Sequence, residues 1–390
     1  MIHYIGRIIQ LIAILGCFSS SVYYLFCLWG AASFLRGRKA GGGARPTQGL
    51  PPVSILKPLK GTDPDIYESF RSHCLQDYPE YEIVFGVSDA ADPAVSAVQK
   101  LQQEFRSRAI RLVVCPNILG ANVKVSNLER MLEVARYQYL IVNDSDIRVE
   151  ADYLRRVMAP LTDKGIGMVT CLYRGVAAPT LGSQLESLGI STDFCAGVLV
   201  ARQLEGGVRF GLGSTLAFRR GDLERIGGFH SLVDYLADDY ELGRRIAELG
   251  LQVVLSDVVV ETHLPRYDLS GFLAHQIRWA RGLRDSRKGG YVGLVSTFGL
   301  MWALLNLIVS HAQPWSWAVL GGVALLRLAV AVAVGRGVLQ DPILVKFLWL
   351  LPVRDLVAVL VWLASFAGHT VTWRGDRFEL KNGRLIRTAL

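Results

Sequence analysis

Two aspartates, Asp144 and Asp146, end an apolar run in the stretch IVNDSDIRV of residues 141–149. Aspartate is a poor strand former, and an unpaired carboxylate is costly to bury. Alternate carboxylates can instead share one divalent cation, because Mg²⁺ and Mn²⁺ prefer oxygen ligands. Such a cation could neutralise the charge of a departing diphosphate. The tripeptide Asp-Ser-Asp also forms Asx turns readily, so alone it is a weak signal.

A second acidic pair, Asp238 and Asp239, stands just before the helical pattern YELGRRIAELG. The helix dipole favours acids at the start of a helix, so a purely structural role is one reading. A carboxylate that faces a pocket from this position could also deprotonate an acceptor hydroxyl. The spacing alone leaves both readings open.

Three arginines, Arg278, Arg281 and Arg284, recur at every third residue of FLAHQIRWARGLRDSRK and share one face of a predicted helix. One reading is a basic helix beside the membrane that binds lipid phosphates. The other is that Arg278 meets a phosphate leaving group next to a lipid acceptor. The helix follows a nucleotide-type domain and leads directly into an apolar segment, which favours the second reading.

Strands and helices alternate in the chain before the first acidic pair. Buried strands are predicted in VSILKPLKG, YEIVFGVSD, IRLVVCPN and YLIVNDSD, with helical spacing between them. This alternation predicts an α/β fold with a largely parallel sheet and helices on both faces. Ligands of such open sheets bind beyond the carboxyl ends of the strands. Because Lys57, Asp89, Asp144 and Asp146 stand at three of these ends, we expect a nucleotide pocket there.

The chain is unusually apolar, with 51% hydrophobic residues and a mean hydropathy of +0.31. Residues 8–35 carry no charge, are long enough to cross a bilayer core of about 30 Å, and lack the cleavage site of a signal peptide. Further apolar segments cover about 292–313, 315–335 and 343–372, and Pro314 predicts a helical hairpin from the first two. The last contains LPVRDL, so it is either one span with an internal ion pair or an interfacial piece followed by a span.

Five regions are predicted along the chain. Basic clusters follow the first apolar segment and precede the second, and positive charge favours the cytoplasmic side of a membrane. We therefore predict an integral membrane protein whose catalytic domain faces the cytoplasm. The regions are an N-terminal transmembrane anchor (1–35), a basic Gly/Pro linker (36–52), an α/β catalytic domain (53–290), C-terminal transmembrane helices (291–372) and a basic tail (373–390).

The net charge of +8 does not indicate a nucleic-acid partner. Much of the basic excess flanks apolar segments, where it can meet anionic lipid, and no nucleic-acid-binding motif is present. The six cysteines are scattered without a C-x-x-C pair, so neither a zinc site nor a disulfide framework is indicated.

An ordered series of short motifs resembles the family 21 glycosyltransferases, which are the ceramide glucosyltransferases and bacterial relatives that include hopanoid-biosynthesis enzymes. The resemblance spans about 50–290, with similar membrane segments on either side. It implies a GT-A fold, a UDP-sugar donor, a divalent metal (Mg²⁺ or Mn²⁺), a lipid acceptor and inversion at the anomeric carbon. The motifs are KPLKG (57–61), the lone aspartate of GVSDAADPA, GANVKVSNL (120–128), DSDIRV (144–149), ADDY (237–240) and HQIRW (275–279).

Carried over by position, the resemblance implies a role for each motif. Asp239 is the expected general base, and Asp144 and Asp146 form the metal-binding D-x-D. Arg278 and Trp279 match the end of the family's (Q/R)-x-x-R-W motif, near the diphosphate and the acceptor. The remaining expected site residues are His275, which stands at the first position of that motif, and the donor-binding residues Lys57, Asp89, Asn122, Lys124 and Asp144.

Two other functions are weighed against lipid glycosylation. A processive polysaccharide synthase combines the same acids with an R-W motif, but one span before the domain and about three after it are few for a polymer channel. A non-catalytic membrane-anchored binding protein would be expected to lack some of the acids, and all are present. The acceptor could be ceramide, a hopanoid polyol or diacylglycerol, and the sugar glucose or N-acetylglucosamine. VFGVSDAADPA together with TCLYRG favours the bacterial hopanoid branch, and hence a bacterial inner membrane.

Overall fold

The computed structural model describes residues 2–41, 49–373 and 376–387. An eight-stranded sheet forms the centre of the α/β domain. Every residue of its first two strands is buried, as expected for strands covered on both faces. The strands are β1 (Val53–Pro58), β2 (Tyr81–Val87), β3 (Ala109–Val114), β4 (Tyr139–Val142), β5 (Ile147–Arg148), β6 (Ile166–Val176), β7 (Leu216–Arg219) and β8 (Gln252–His263).

The strand order is β3-β2-β1-β4-β7-β6-β8-β5. The first four of these are parallel, as the sequence predicts, whereas β7 is antiparallel to β4 and β6, and β5 is antiparallel to β8. The chain leaves the middle of the sheet at the end of β4 and returns as β5 at the far edge, where Ile147 pairs with Thr262. Residues 143–146 therefore cross the carboxyl edge of the sheet.

Helices surround this sheet and continue beyond it. They are α1 (Ile2–Gly41), α2 (Ile66–Cys74), α3 (Ala94–Glu104), α4 (Val123–Val134), α5 (Tyr153–Met158), α6 (Leu181–Gly189), α7 (Cys195–Leu204), α8 (Arg220–Arg225), α9 (Asp238–Glu248), α10 (Leu269–Ser286), α11 (Lys288–Gly293), α12 (Gly299–Val309), α13 (Pro314–Ala331), α14 (Leu344–Phe347) and α15 (Leu351–Ser365). Shorter helical turns of the 3-10 or π type cover Ala159–Thr162, Ile190–Phe194, Phe229–Leu232, Leu294–Thr297, Val332–Val338 and Leu348–Leu350.

Three helices within the described ranges are long and apolar enough to span a membrane: Tyr4–Ala40, Pro314–Val338 and Leu344–Ser365. A fourth is added if Lys288–Thr297 and Gly299–Val309, which are bent by 51° relative to each other, form one broken span. The predicted hairpin is present as α12 and α13. Pro314 starts α13, where a missing N–H costs nothing.

The last apolar segment forms a single helical stretch from Leu344 to Ser365. The internal ion pair considered for LPVRDL is not formed, because Arg354 and Asp355 pair with residues outside this segment. Asp355 accepts hydrogen bonds from the guanidinium of Arg327 on α13, at 2.7 Å and 3.0 Å. Pro352 lies in the first turn of α15, where it removes no helical hydrogen bond.

Residues near the C-terminus, in the region that the sequence predicts as a basic tail from 373, form a small sheet. Its buried residues Phe378, Leu380 and Leu385 alternate with charged residues, so one face is apolar despite the high charge. The turn Asn382-Gly383 has φ values of 51° and 78°, as a tight hairpin requires. The antiparallel strands are β9 (Thr370–Trp373), β10 (Asp376–Lys381) and β11 (Arg384–Arg387).

This C-terminal sheet supports the chain just before α9. The N–H of Leu236 donates to the carbonyl of Gly383 at 3.1 Å, and the N–H of Leu385 donates to the carbonyl of Asp234 at 2.7 Å. The start of α9, which carries Asp238 and Asp239, is therefore held by residues more than a hundred positions further along the chain.

We expect Gly243→Ala to destabilise the domain by about 1–3 kcal/mol, the usual cost of overpacking. A Cβ at Gly243 would lie 2.1 Å from the backbone nitrogen of Gly211 and 2.4 Å from the carbonyl carbon of Phe210. α9 would have to move away from this loop. Thermal unfolding of the purified protein measures the effect. Gly221→Ala in α8 is the control, since no atom lies within 4 Å of its new Cβ, and equal melting of both variants would contradict the prediction.

Candidate active site

The carboxylates of Asp144 and Asp146 point to different partners at the carboxyl end of β4. Oδ1 of Asp144 lies 2.8 Å from Nζ of Lys124, and the side chain is 40% exposed. Asp146 is buried more deeply and accepts a hydrogen bond from Oγ1 of Thr262 on β8. Burial and the neighbouring charge of Asp144 raise the pKa of Asp146 to about 6. One carboxylate thus faces the open side of the site, and the other faces the sheet.

Lys57 lies beneath this loop and is fully buried. Its Nζ donates to the backbone carbonyl of Asp144 at 2.9 Å. Burial lowers the pKa of Lys57 to about 7, although the charges of Asp146 and Asp144 oppose the shift. The direct contact of Lys57 is therefore with the backbone of the D-x-D loop, which it positions.

The start of α4 connects the D-x-D to α9. Asn122 caps α4 by accepting the N–H of Val125 at 3.2 Å, and its amide donates to Oδ1 of Asp238 at 3.2 Å. Two residues later, Lys124 lies 3.2 Å from Oδ2 of the same aspartate while it pairs with Asp144. Burial lowers the pKa of Lys124, but the surrounding carboxylates outweigh burial and raise it above its ordinary value. A permanent positive charge thus sits between the two acidic motifs.

Asp239 is held by two backbone N–H groups. Its Oδ2 accepts from Gly213 at 2.7 Å, and its Oδ1 accepts from Tyr240 at 2.8 Å. Burial and the adjacent charge of Asp238 raise the pKa of Asp239 to about 6, against the attraction of Lys124. This carboxyl can therefore exchange a proton near neutral pH.

Gly213 brings the two acidic motifs to one space. A Cβ at this position would lie 2.8 Å from Oδ2 of Asp144 and 3.2 Å from Oδ2 of Asp239. Only glycine leaves room for both carboxylates to line the same cavity. The signal for this residue was present in the glycine-rich sequence FGLGST before β7.

The predicted residues of α10 form a second group around Glu186 of α6. Nδ1 of His275 lies 3.4 Å from Oε2 of Glu186, and the imidazole lies 5.4 Å from the ring of Trp279. Burial raises the pKa of Tyr267 to about 12, with Glu186 and Asp146 raising it further and Arg278 opposing them. Arg278 and Asp146 therefore both lie close enough to Tyr267 to affect its pKa.

The other two arginines of the basic face predicted for α10 bind backbone carbonyls. Arg281 donates to the carbonyl of Thr370 at 2.6 Å, and Arg284 donates to the carbonyls of Ser365 and Gly368. Arg284 is 8% exposed, so it is not placed to bind lipid phosphates. These arginines attach α10 to the last residue of α15 and to the chain that follows it.

Asp89 lies apart from both groups. It is exposed in the loop after β2, where its carboxylate accepts the N–H of Ala91 at 2.9 Å. The neighbouring Asp92 accepts the N–H of Gly61 after β1 at 3.0 Å, so the first two strand ends meet at this edge. The structure thus brings together the residues from β1, β4, α4 and α9, and leaves Asp89 at the rim.

Two buried residues of this region were not among the predicted site residues. Glu186 is 3% exposed and accepts a hydrogen bond from Nε2 of Gln276 at 2.6 Å. Tyr173 on β6 has a strongly raised pKa because of burial and of carboxylates that include Asp239, Glu186 and Asp144. Asp239 of the first group and Glu186 of the second therefore both lie close enough to Tyr173 to affect its pKa. The segment TCLYRG around Tyr173 contributes to the resemblance to the hopanoid branch, but no feature of it singles out Tyr173 as a site residue.

The residues fit a divalent metal only with help from a bound ligand. Among the described side chains, no three of the His, Cys, Asp and Glu type converge to hold a metal ion. Asp144 and Asp146 offer the oxygens that Mg²⁺ and Mn²⁺ prefer, and a cation would favour the ionised form of Asp146. The other ligands would be diphosphate oxygens and water.

The sheet topology, with carboxylates along its carboxyl edge, defines a GT-A glycosyltransferase domain with apolar helices on either side. A mannosyltransferase from Pyrobaculum calidifontis, solved with GDP-Man and Mn²⁺, superposes with a TM-score of 0.55 at 21% identity, covering 92% of this chain and 99% of the other. The sequence model of glycosyl transferase family 21 matches residues 12–386, and the chain belongs to this family.

Two relatives from Caenorhabditis elegans match most of the chain. Ceramide glucosyltransferase 1 is 23% identical over 397 residues, covering 97% of this chain and 82% of the relative. Ceramide glucosyltransferase 3 is 24% identical over 353 residues, covering 86% of this chain and 74% of the relative. Both matches extend beyond the catalytic domain into the apolar helices.

We expect Lys124→Met to destabilise the fold by about 3 kcal/mol at pH 8, the lower end for breaking a buried ion pair, because Asp144 is partly exposed. The loss should be smaller at pH 5. The pKa of Asp239 is already raised to about 6 in the folded state, and loss of the lysine removes the attraction that opposes this rise. Asp239 therefore binds a proton more tightly in the folded than in the unfolded state, and folding regains stability as the pH falls through this range. Thermal unfolding at both pH values measures this difference.

The control for this prediction is Lys164→Met, which removes an exposed lysine from a turn. It should change the unfolding temperature little at either pH. An equal loss of stability at pH 5 and pH 8 for Lys124→Met would show that packing, and not charge, explains the effect.

Proposed function

We propose that the protein transfers a hexose, glucose or N-acetylglucosamine, from a UDP-sugar to a hydroxyl of a membrane lipid, with inversion at the anomeric carbon. The observation that carries this proposal is the placement of Asp144 and Asp239 on either side of Gly213 in a family 21 chain. The relatives that cover most of the chain are named ceramide glucosyltransferases, which supports a sugar donor and a lipid acceptor.

Asp239 is proposed as the general base. With a pKa of about 6 it is mostly ionised at pH 7 and can still accept a proton from a hydroxyl. The N–H groups of Gly213 and Tyr240 hold the carboxylate in place while its charge changes. The acceptor oxygen then attacks the sugar C1 from the face opposite the diphosphate, in one displacement. No covalent nucleophile is needed.

Positive groups are proposed to stabilise the charge that grows on UDP, the electrostatic contribution that is usually largest. Arg278 approaches from α10, next to Trp279 and His275, and Lys124 keeps its charge between Asp144 and Asp238. A divalent metal bound at Asp144 and Asp146 would neutralise part of the diphosphate charge. Mn²⁺ is present with a nucleotide sugar in the related mannosyltransferase structure.

The acceptor is proposed to enter from the membrane. α10 leads directly into the apolar stretch Lys288–Val309, and Trp279 is 39% exposed. Ceramide, a hopanoid polyol and diacylglycerol are the acceptor classes to test. A bacterial inner membrane, with the catalytic domain on its cytoplasmic side, is the proposed location.

We expect Asp239→Asn to reduce transfer by about 10²–10⁴-fold, because the amide cannot take the acceptor proton. The assay uses purified protein in detergent with UDP-glucose or UDP-N-acetylglucosamine, Mg²⁺ or Mn²⁺, and ceramide, bacteriohopanetetrol or diacylglycerol. EDTA should also abolish product. Glu248→Gln at the exposed end of the same helix is the control and should keep full activity. Undiminished product from the Asp239 variant would contradict the assignment of the base.

We expect kcat/KM of the unmodified protein to fall about tenfold per pH unit below pH 6, as Asp239 becomes protonated. Asp146 titrates in the same range, so the profile is measured at two metal concentrations. If kcat/KM still falls at the same pH at saturating Mn²⁺, the fall is caused by Asp239. If the fall moves to lower pH, it is caused by Asp146. Recovery of activity after return from pH 5.5 to pH 7.5 excludes unfolding. A flat profile from pH 5 to 7 would contradict the prediction.

A further inference from the structure

Ionisable side chains meet where the π-helical turn between α6 and α7 lies against the apolar helices α13 and α15. Arg327 is 3% exposed and pairs with Asp355 at 2.7 Å and with Oδ1 of Asp193 at 2.5 Å. It also donates to the carbonyl of Thr192 at 3.1 Å. Ionisable groups on apolar helices are costly and usually mark a functional site. Arg327 and Asp355 are well satisfied within the protein and hold this turn in place.

Asp193 and Arg354, in contrast, are only partly satisfied. Among the described residues, Oδ2 of Asp193 has no hydrogen-bond partner, and Nη2 of Arg354 lies 3.5 Å from it. Arg354 is 8% exposed, yet its Nε and Nη1 have no hydrogen-bond partner in the described parts of the chain. Its guanidinium lies against Gly189, where a Cβ would be 2.4 Å from Nε. Buried polar atoms without partners are rare in proteins and call for a ligand or water that completes them.

The atoms left without partners among the described residues are two donor nitrogens of Arg354, Nε and Nη1, and one acceptor, Oδ2 of Asp193, so this ion pair keeps both donor and acceptor capacity. A hydroxyl or an amide both donates and accepts hydrogen bonds, so either can satisfy Arg354 and Asp193 together. A phosphate oxygen only accepts, and its charge would face the carboxylate of Asp193. We propose that Asp193 and Arg354 form a binding site for the polar head group of the lipid acceptor, which is a neutral group with hydroxyls or an amide. This inference rests on the proposed lipid glycosylation.

Aromatic rings connect this head-group site to the proposed base. The ring of Phe194, which follows Asp193 in the chain, lies 5.3 Å from Tyr173 and 5.9 Å from Trp279. Tyr173 lies close enough to Asp239 for that carboxylate to affect its pKa. A head group held at Asp193 is thus next to apolar ring surfaces that lead towards Asp239.

The same site contacts the catalytic helix through Gln276. Nη2 of Arg354 donates to Oε1 of Gln276 at 3.2 Å, and the other end of this amide donates to Glu186 at 2.6 Å. Gln276 stands two residues before Arg278 on α10. A lipid hydroxyl at this site would therefore bind an arginine that also holds Gln276, and through Gln276 this part of α10, in position.

The experiment compares Asp193→Asn and Arg354→Gln with the unmodified protein in detergent. Two measurements are made: KM for each substrate in the transfer assay, and equilibrium binding of radiolabelled ceramide and bacteriohopanetetrol without donor. We expect both variants to raise the KM and Kd for the lipid about tenfold, as for a lost hydrogen bond to a charged group. The KM for the UDP-sugar should stay within twofold. Excess phosphatidic acid should not displace the labelled lipid.

Asp341→Asn is the matched control. Asp341 is also buried and accepts from Ser191 of the same turn at 3.2 Å, but its other oxygen already accepts the N–H of Ile343. It should change lipid binding less than twofold. Unfolding temperatures identify variants that fail to fold, and either of the two test variants is sufficient for the comparison.

The outcomes separate this inference from the proposed function. Lipid binding that is unchanged in folded Asp193→Asn or Arg354→Gln would overturn the head-group site, and so would equal losses in lipid and donor KM. Displacement by phosphatidic acid would show that the site takes phosphate instead. If the unmodified protein binds lipid but transfers no sugar, weakened binding in the variants still supports the site while the proposed function fails. If it binds no lipid of the panel, the site as proposed is wrong.

Discussion

The charge of Lys124 is the interaction on which the site depends. Asp144 follows the end of β4, whereas Asp238 and Asp239 begin α9, almost a hundred residues later. These three carboxylates would repel one another in a buried space. Nζ of Lys124 lies 2.8 Å from Asp144 and 3.2 Å from Asp238, so one cation holds both motifs. Asn122 fixes this lysine by capping α4. The sheet edge and the start of α9 are thus joined by one short stretch of chain.

The same arrangement gives two adjacent aspartates different properties. Asp238 is satisfied by Lys124 and Asn122, whereas Asp239 has only backbone N–H donors at Gly213 and Tyr240. Its pKa of about 6 follows from burial beside a charged neighbour. An acid pair at a helix start therefore serves the fold with one member and can serve the chemistry with the other.

The sequence could predict the features that depend on local pattern. Alternating strands and helices placed Lys57 and Asp144 at neighbouring strand ends, and the structure brings these residues together. Contacts between distant segments left no such pattern. Glu186 lies some ninety positions before its partner His275, and nothing in either local sequence indicates the contact. The C-terminal sheet could not be predicted for another reason. Charged residues outnumber apolar ones in this segment, although an Asn-Gly turn marks the hairpin.

The apolar helices help to position α10 and are more than a candidate membrane anchor. α15 lies along α10, where Arg284 donates to the carbonyl of Ser365 at one end and Arg354 donates to Gln276 at the other. α10 also carries Arg278 and Trp279, so its position relative to the D-x-D is set partly by helices outside the α/β domain. The α/β domain without these helices would lack the carbonyls that fix α10.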